Sequence, residues 1–324
     1  MRAPEFWHSN TLTSRVLSPL SHVYAWAVAR NLANGEAFRP TIPVICVGNI
    51  ISGGAGKTPV CLALVDLLRQ RGLLPHVLTR GYGGTESGPC AVDLLRHNAA
   101  RVGDEALLLA GRAPTWVAHW RPDGAKAAQD MGANILVMDD GFQNGSIAKD
   151  LSLVVVDGGY GFGNGRVIPA GPCREPIAIG LQRADAVVLI GEDQVGIDSL
   201  VTTCPILRAD LVPGPEGEAL RGRKVLAFAG IGRPEKFFET LLHCGAELVE
   251  TQPFPDHYPY AESDVTELRD SAAEQDAVLV TTAKDMVRIP PGLRSAVTVV
   301  PVGLRWRDPA AVQILLDRVC GRVS

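Results

Sequence analysis

The stretch IPVICVGNIISGGAGKTPVCLALVDLL, from Ile42 to Leu68, decides the fold expected of this chain. Its β-branched beginning predicts a buried strand, and the apolar residues that follow Thr58 at helical spacing predict a helix. Between them lies the glycine-rich turn Gly53-Gly54-Ala55-Gly56, followed by Lys57 and Thr58. A strand, a glycine-rich turn, Gly-Lys-Thr and a helix in this order are typical of a phosphate-binding P-loop.

Each part of this stretch has a role in holding a nucleotide. Glycines let backbone N–H groups reach phosphate oxygens, and the helix N-terminus adds partial positive charge. Lys57 adds a full charge, and the hydroxyl of Thr58 is a ligand for Mg²⁺. The strict pattern has glycine where this chain has Ile51. The alternative, a glycine-rich turn without a ligand, is disfavoured because Lys-Thr opens a helix directly after a strand. The predicted nucleotide-binding residues are Ile51, Ser52, Gly53, Gly54, Ala55, Gly56, Lys57 and Thr58.

Composition narrows the class of protein. The 324 residues are 46% hydrophobic and carry a formal net charge of -4, which predicts a globular chain and disfavours nucleic acid as a partner. The seven cysteines are dispersed, with no close pair at metal-ligand spacing. Such a set predicts reduced thiols in a cytosolic compartment. The sequence has no run of 18 apolar residues, so it predicts no transmembrane helix. Nothing in it indicates a secretory signal or an obligate protein partner.

Residues 1–40 form a segment of their own, before the predicted P-loop domain. Apolar residues recur at helical spacing between Val16 and Val28, and Trp7, Tyr24 and Trp26 add amphipathic rings among a few arginines, Arg2 included. This composition is typical of a helix that lies in a membrane interface. An ordinary amphipathic helix packed on the domain explains the pattern equally well, and the residues alone leave both open.

Acidic residues at two places suggest chemistry beside the P-loop. Asp139 and Asp140 end a hydrophobic strand, as in a Walker B element, and predict a site for Mg²⁺. Asp104 precedes an apolar helix, where capping of the helix is the simpler explanation. The functional alternative is a base that accepts a proton from a substrate hydroxyl. His257 lies beside Asp256 in an aromatic loop and is either a surface residue or the partner of a base.

The predicted fold is α/β: a P-loop NTPase-like α/β/α sandwich with an N-terminal amphipathic helix and a second, smaller α/β domain. The Pro- and Gly-rich stretch at residues 205–222 suggests the boundary. The predicted units are the N-terminal segment 1–40, the P-loop core 41–210 and the smaller domain 211–324, which includes a final helix. Glycine-rich loops after the strands, such as residues 79–84 with Arg80 and Tyr82, are expected to line the ligand crevice.

Several motifs together resemble the tetraacyldisaccharide 4′-kinases of lipid A biosynthesis. They are VGN…GGAGKTP, TRGYGG, VGDEALLLA, DDGFQ, GNGRVIPAGPCREP, AFAGIGRPEKFF, FPDH and TT-KD, in order from Val47 to Asp285. The resemblance implies transfer of the γ-phosphate of ATP to the 4′-hydroxyl of an acylated glucosamine disaccharide 1-phosphate, with Mg²⁺. It also implies that the enzyme acts at the cytoplasmic face of the inner membrane of a Gram-negative bacterium, peripheral or anchored by the N-terminal segment that meets the membrane surface.

The resemblance also implies roles for individual residues. Asp104 becomes the base, which reverses the preference for capping, and His257 becomes its partner from the second domain. Lys57 and Arg121 are implied as catalytic residues, and Thr58, Asp139 and Asp140 as metal ligands. Arg80, Gln143 and Arg174 match family positions in the crevice and are expected to contact the substrate, as is Tyr82 from its place in the glycine-rich loop. Two positions depart from the family: Asn144 replaces a frequent histidine after DDGFQ, and Ala283 replaces the glutamate of TTEKD, so neither is given a role.

Two other functions compete with this interpretation. Dimeric switch ATPases also use a GGxGKT loop, but they carry a lysine just before the glycine pair, where this chain has Ser52. A kinase of a soluble substrate remains the other alternative, in which the N-terminal helix only packs on the core.

Overall fold

The structure is a computed structural model that describes residues 4–33 and 36–321. Residues 1–3, with Arg2, residues 34–35 and residues 322–324 lie outside the described part. Two sheets organise the described chain, one of nine strands and one of four. The helices are α1 Leu12–Ala33, α2 Lys57–Gln70, α3 Ala99–Val102, α4 Asp104–Ala110, α5 Arg121–Asp130, α6 Ile177–Gln182, α7 Ile197–Leu200, α8 Pro215–Glu218, α9 Pro234–His243, α10 Glu262–Glu274, α11 Ala283–Met286 and α12 Pro309–Cys320. The strands are β1 Val44–Gly48, β2 Pro75–Thr79, β3 Cys90–Ala91, β4 Thr115–Val117, β5 Ile135–Asp139, β6 Leu151–Asp157, β7 Ala186–Ile190, β8 Ile206–Pro213, β9 Lys224–Ala229, β10 Glu247–Pro253, β11 Val278–Thr282, β12 Thr298–Val300 and β13 Val302–Trp306.

The large sheet has the order β13-β8-β7-β6-β1-β5-β2-β4-β3. Its strands pair in parallel except for β3 with β4 and β13 with β8, the antiparallel pairs at its two edges. The central strands β1, β5 and β6 are buried along their whole length. They read as continuous hydrophobic runs because helices cover both of their faces. One face packs under α2 and α12, and the other packs under α5 and α6.

The small sheet has the order β10-β9-β11-β12, with every pair parallel. Helix α9 covers one face, where Phe237 and Leu241 pack with Val225 and Ala227. Helix α10 covers the other face. The α/β/α sandwich with a second, smaller α/β unit is therefore confirmed. The seven cysteines carry free thiols.

The chain returns to the large sheet at its C-terminal end. Strand β13 pairs with β8, and Val312, Leu315 and Leu316 of α12 belong to the same core as α2. Both elements fall within residues 211–324, the range predicted for the smaller unit, because that prediction treats each unit as continuous in the chain. The division into domains stays a prediction, and these contacts favour a small unit inserted between β8 and β13.

Helix α1 lies on the large unit, where the hydroxyl of Ser21 donates to the carbonyl of Val167 at 2.6 Å. No helix within residues 4–33 and 36–321 combines the length and hydropathy needed to cross a membrane.

The end of β1 packs tightly on the loop that follows β5. A Cβ atom added to Gly48 would lie 2.5 Å from Cβ of Phe142, whose side chain is fully buried. The guanidinium of Arg183 lies over that ring, 4.5 Å from its centroid. Phe142 therefore has little space to move aside, and glycine at position 48 is a steric requirement.

We expect Gly48→Ala to lower the free energy of unfolding by about 1–3 kcal/mol because the added methyl overpacks this contact. Chemical denaturation followed by fluorescence measures the change. Gly303→Ala is the matched control, since a Cβ at Gly303 meets no atom within 4 Å. Equal stability of Gly48→Ala and Gly303→Ala would contradict the predicted overpacking.

A charged contact joins the two units beside the phosphate loop. The carboxylate of Asp157, at the end of β6, accepts hydrogen bonds from Arg233 and, at 2.6 Å, from Lys236 of the small unit. Burial alone would raise the pKa of Asp157. The hydrogen bonds and charges of Lys236 and Arg233 outweigh burial and lower this pKa below its ordinary 3.8.

We expect Asp157→Asn to lower the free energy of unfolding by about 1–3 kcal/mol at pH 7, as for hydrogen bonds to a charged group. Because the folded pKa is lowered, this stabilisation is present above about 3.8 and disappears as pH falls through the folded pKa. Denaturation curves of variant and wild type, measured at several pH values, should therefore converge in acid. Asp198→Asn, which breaks a more exposed pair with Arg208, should cost at most about 1 kcal/mol. Equal losses in both variants at pH 7 would contradict the prediction.

Candidate functional site

The phosphate loop is held open by its backbone and by a neighbouring segment. Gly53 and Gly56 have φ of 121° and 85°, in the region that favours glycine. The amide of Ser52 donates to the carbonyl of Pro172 at 2.7 Å, and the amide of Arg174 donates to the carbonyl of Ile50 at 2.7 Å. A Cβ on Gly54 would meet no atom within 4 Å. The loop is therefore braced on one side and open on the side where phosphates would lie.

Two cations meet one carboxylate beside the loop. Lys57 Nζ lies 3.5 Å from Oδ1 of Asp140, and Nη1 of Arg174 lies 2.9 Å from the same oxygen. Burial alone would raise the pKa of Asp140, but the charges of Lys57 and Arg174 lower it overall. The carboxylate is thus ionised at neutral pH and holds both cations at the carboxyl edge of the sheet.

Asp139 and Asp140 are neighbours in different environments. Asp139 is 1% exposed and accepts hydrogen bonds from the hydroxyl of Thr79 at 3.2 Å and the thiol of Cys61 at 3.7 Å. Burial, followed by the charges of Glu105 and Asp140, raises the pKa of Asp139. The side chain of Asp140 is 32% exposed. Asp140 therefore faces the crevice, whereas Asp139 is enclosed by the protein.

The oxygen donors beside the loop fit a magnesium ion. Hard carboxylate and hydroxyl oxygens, here from Asp140 and Thr58, are the ligands Mg²⁺ prefers. Within residues 4–33 and 36–321, no group of three or more His, Cys, Asp or Glu side chains is arranged to hold a metal. A site with few protein ligands is what Mg²⁺ uses when phosphates and water complete its coordination.

Asp104 and His257 meet across the two units. Oδ2 of Asp104 lies 2.8 Å from Nδ1 of His257, and its Oδ1 accepts the amide of Glu105 at 2.9 Å. His257 has φ of 60°, and its amide donates to the carbonyl of Gly230. Asp104 is the first residue of α4, and the residue that caps the helix is Gly103. The carboxylate therefore binds one helix amide and still faces the histidine.

Positive charge surrounds the carboxylate of Asp104. Nε of Arg288 lies 3.6 Å from its Oδ2. Burial alone would raise the pKa of Asp104. The hydrogen bond from His257, with the charges of Lys284 and Arg288, lowers it overall. Asp104 is therefore held as a carboxylate, the form able to accept a proton.

Arg121 brings a buried cation to the same edge. It is 3% exposed, its Nη1 donates to the carbonyl of Ala118 at 2.5 Å, and its Nε has no hydrogen-bond partner among the described residues. Burial lowers its pKa to about 10, against the opposing charges of Asp139 and Asp140. Arg121 therefore places a buried positive charge near Asp139 and Asp140 at this edge.

The other expected substrate contacts divide into two kinds. Arg80 and Tyr82 are exposed, and the ring of Tyr82 lies 5.5 Å from that of His257. Gln143 is instead engaged with the protein: its amide donates to the carbonyl of Asn49 and to Glu175, each at 2.8 Å. Its oxygen also lies 3.4 Å from Nη1 of Arg174. Gln143 thus braces the phosphate loop, and its contact with substrate stays a prediction.

Sequence reasoning missed four charged residues at the site. Lys284 and Arg288 surround the pair of Asp104 and His257, while Glu175 and Arg183 form an ion pair behind Gln143. Lys284 belongs to the TT-KD motif and Glu175 to the end of GNGRVIPAGPCREP, so the motifs could have indicated both residues. Arg183 and Arg288 lie outside the motifs, and only the packing of distant elements shows their place.

Comparison with known proteins gives a consistent result. Residues 13–320 match the family described as LpxK, tetraacyldisaccharide-1-P 4′-kinase. A tetraacyldisaccharide 4′-kinase of Paramagnetospirillum magneticum is 61% identical over 98% of this chain and 99% of its own length. The enzyme of the same name from Rhodospirillum rubrum is 54% identical over 100% of this chain and 99% of its own.

A solved structure agrees in fold over almost the whole chain. The crystal structure of LpxK from Aquifex aeolicus, described as an "apo" form in complex with ATP, superposes with a TM-score of 0.78. It is 25% identical and covers 95% of this chain and 99% of its own. The match over residues 13–320 and the full-length relatives lead to one conclusion. This chain belongs to the tetraacyldisaccharide-1-P 4′-kinase family.

Proposed function

We propose that this protein is an ATP-dependent lipid kinase of lipid A biosynthesis. It transfers the γ-phosphate of ATP to the 4′-hydroxyl of tetraacyldisaccharide 1-phosphate and forms lipid IVA. The observation that supports this most directly is the ionised Asp104, paired with His257 in the crevice that also holds the phosphate loop. The loop that follows β2 packs on Gly103, the residue before Asp104, and β2 lies beside β5, which ends at Asp139, so Asp104 stands at the sheet edge that also carries the phosphate loop.

The residues divide the work of phosphoryl transfer between donor and acceptor. Lys57 and the open amides of the phosphate loop bind the phosphates of ATP. Thr58 and Asp140 would hold Mg²⁺, which would neutralise phosphate charge. Arg121 adds a buried positive charge near Asp139 and Asp140, which stabilises negative charge on the phosphoryl group in transfer. The Aquifex aeolicus protein, which shares this fold, was solved in complex with ATP.

On the acceptor side, Asp104 is the base. The 4′-oxygen forms a bond to the γ-phosphorus as the bond from that phosphorus to the bridging oxygen of ADP breaks. The hydroxyl proton passes to the carboxylate of Asp104. His257 orients this carboxylate through the 2.8 Å hydrogen bond. Because the base comes from one unit and its partner from the other, the pair is complete only when the units are together.

The transfer is tested with γ-labelled ATP and tetraacyldisaccharide 1-phosphate in mixed micelles. Wild type should give labelled lipid. Lys57→Ala should lower kcat by about 10²–10³-fold through loss of phosphate stabilisation. Asp104→Asn, nearly the same shape, should lower it by about 10²–10⁴-fold through loss of the base.

Lys224→Ala is the control for loss of a lysine, because Lys224 is exposed at the start of β9. It should keep the wild-type rate. Absence of labelled lipid with wild type would refute the reaction. Full activity of Asp104→Asn would refute only the base.

We propose further that helix α1 binds the membrane surface in which the acylated substrate lies, at the cytoplasmic face of the inner membrane. The helix is inverted relative to an ordinary surface helix. Its buried side chains are Ser14 and Ser21, whereas large apolar side chains face outward. These are Leu12, Val16, Leu20, Val23 and Trp26, each at least 57% exposed.

An outward apolar face with nearby cations suits a lipid interface better than water. The guanidinium of Arg30 lies 5.5 Å from the ring of Trp26, where it is available to anionic headgroups. A mainly apolar cavity of about 220 Å³ lies between α1 and α6, with Trp26, Leu32 and Ile179 among its lining residues. Such surfaces favour an acylated acceptor over a soluble one.

We expect Leu12→Glu/Leu20→Glu to lower binding to anionic phospholipid vesicles at least tenfold, since burial of one leucine contributes about 1.5–3 kcal/mol. Vesicle flotation measures the bound fraction. Leu74→Glu/Leu242→Glu is the matched control, because these leucines are 60% and 55% exposed on other elements. Equal binding of the two double variants would refute the role of α1.

A further inference from the structure

Lys284 touches the histidine of the proposed base pair from the side opposite to Asp104. It lies in α11, and its side chain is 22% exposed. Its Nζ is 3.4 Å from Nε2 of His257, 3.4 Å from Oε1 of Glu105 and 3.6 Å from Oδ1 of Asp256. Lys284 has no role in the proposed phosphate transfer itself.

The chemistry of the two partners of His257 selects one form of its ring. An ammonium group has hydrogen-bond donors and no acceptor, so Nε2 meets Lys284 with its lone pair. An ionised carboxylate has only acceptors, so Nδ1 meets Asp104 with an N–H. A neutral imidazole has one nitrogen of each kind, and both contacts require the same tautomer.

We propose that Lys284 is a positioning residue that holds His257 in the tautomer with hydrogen on Nδ1 and thereby directs an N–H at Asp104. The tautomer itself follows from the contacts alone. Its consequence for phosphate transfer rests on the proposed function. In the other tautomer a lone pair on Nδ1 would face the carboxylate, and the pair would lose its hydrogen bond.

A second carboxylate shows why the lysine is needed. Oδ2 of Asp256 lies 3.7 Å from Nε2 of His257, the same nitrogen that Lys284 contacts. Without the lysine, Asp256 would attract a hydrogen to Nε2, which gives the opposite tautomer if Nδ1 loses its hydrogen and an imidazolium if Nδ1 keeps it. Lys284 contacts both Asp256 and His257, so it neutralises the competitor while it occupies the nitrogen.

The remaining groups around this histidine are consistent with that role. Arg288 lies 3.6 Å from Asp104 and 2.7 Å from the buried Asp285, so its charge supports the ionised form of Asp104. The ring of Tyr82 contacts the imidazole face at a centroid distance of 5.5 Å. Glu105 contacts Lys284, with Oε1 3.4 Å from Nζ.

The first test reads the tautomer directly. In full-length protein with ¹⁵N-labelled histidine, imidazole nitrogen shifts show which nitrogen carries the hydrogen, and His257→Gln identifies the signals. Wild type and Lys284→Arg, which keeps only donors, should show hydrogen on Nδ1. Lys284→Met should move hydrogen towards Nε2. Lys236→Met, a lysine in the other contact between the units, should leave the His257 signals unchanged.

A double variant separates the tautomer from damage to the fold. Lys284→Met/Asp256→Asn removes the competing carboxylate together with the lysine, so hydrogen should return to Nδ1. This variant also avoids an unpaired carboxylate, and it remains testable if Lys284→Met does not fold.

The rate gives the second readout. Lys284→Met should lower kcat at least tenfold, with the KM for ATP changed less than threefold, and Lys284→Arg should recover most of the rate. The wrong tautomer in a serine protease triad costs about 10⁴-fold, which shows that effects of this size are reasonable.

Three outcomes decide the inference. Hydrogen on Nε2 in wild type would overturn it, as would unchanged His257 signals in folded Lys284→Met. A shift of the hydrogen in Lys284→Met that is reversed in the double variant supports it. That result stands even if wild type phosphorylates no lipid, in which case the proposed function fails and the tautomer assignment does not.

Discussion

The hydrogen bond between Asp104 and His257 joins the two units of this protein at the point where chemistry is expected, and the arrangement of the site depends on it. Parallel strands carry their loops to one edge of a sheet, so the phosphate loop, Asp139 and Asp157 all lie at that edge of the large sheet. The small unit contacts Asp104 on one side and Asp157 on the other. In the strand order, β6 with Asp157 and β2 with its loop lie on opposite sides of β1 and β5. The small unit therefore spans the phosphate loop.

Charge accumulates at this edge in a way that stability alone does not explain. Burial raises the pKa of Asp139 and lowers that of Arg121, because a charge on a buried side chain costs free energy. The cost is offset only in part, because Nε of Arg121 has no hydrogen-bond partner among the described residues. Strongly shifted groups gathered in one crevice are characteristic of sites that bind charged ligands. In the proposed reaction, the triphosphate of ATP and its metal ion would supply charges opposite to those of Arg121 and Asp139.

The two substrates of that reaction impose different demands on the surface. The phosphate side is rigid, since Pro172, Arg174 and Gln143 brace the loop through short hydrogen bonds. The proposed lipid side is an apolar helix face that turns its serines inward to the carbonyl of Val167. Such a helix is poorly suited to water and well suited to a bilayer. A water-soluble donor and an acylated acceptor thus have separate surfaces that converge on Asp104.

The sequence by itself determined the features that depend on neighbouring residues. The phosphate loop, the strand that ends in Asp139 and the division into α/β elements follow from local periodicity and from glycines at fixed spacing. The resemblance carried by motifs such as DDGFQ added roles for Asp104 and His257 that spacing alone left open. Only the tertiary structure decided that Asp140 rather than Asp139 faces the crevice, that Lys284 and Arg288 surround the base pair, and that α12 returns to the large sheet. It also showed that α1 presents its apolar face outward. The reason is physical: backbone conformation is set largely by nearby residues, whereas the partner of a charge is set by elements far apart in the chain that pack together.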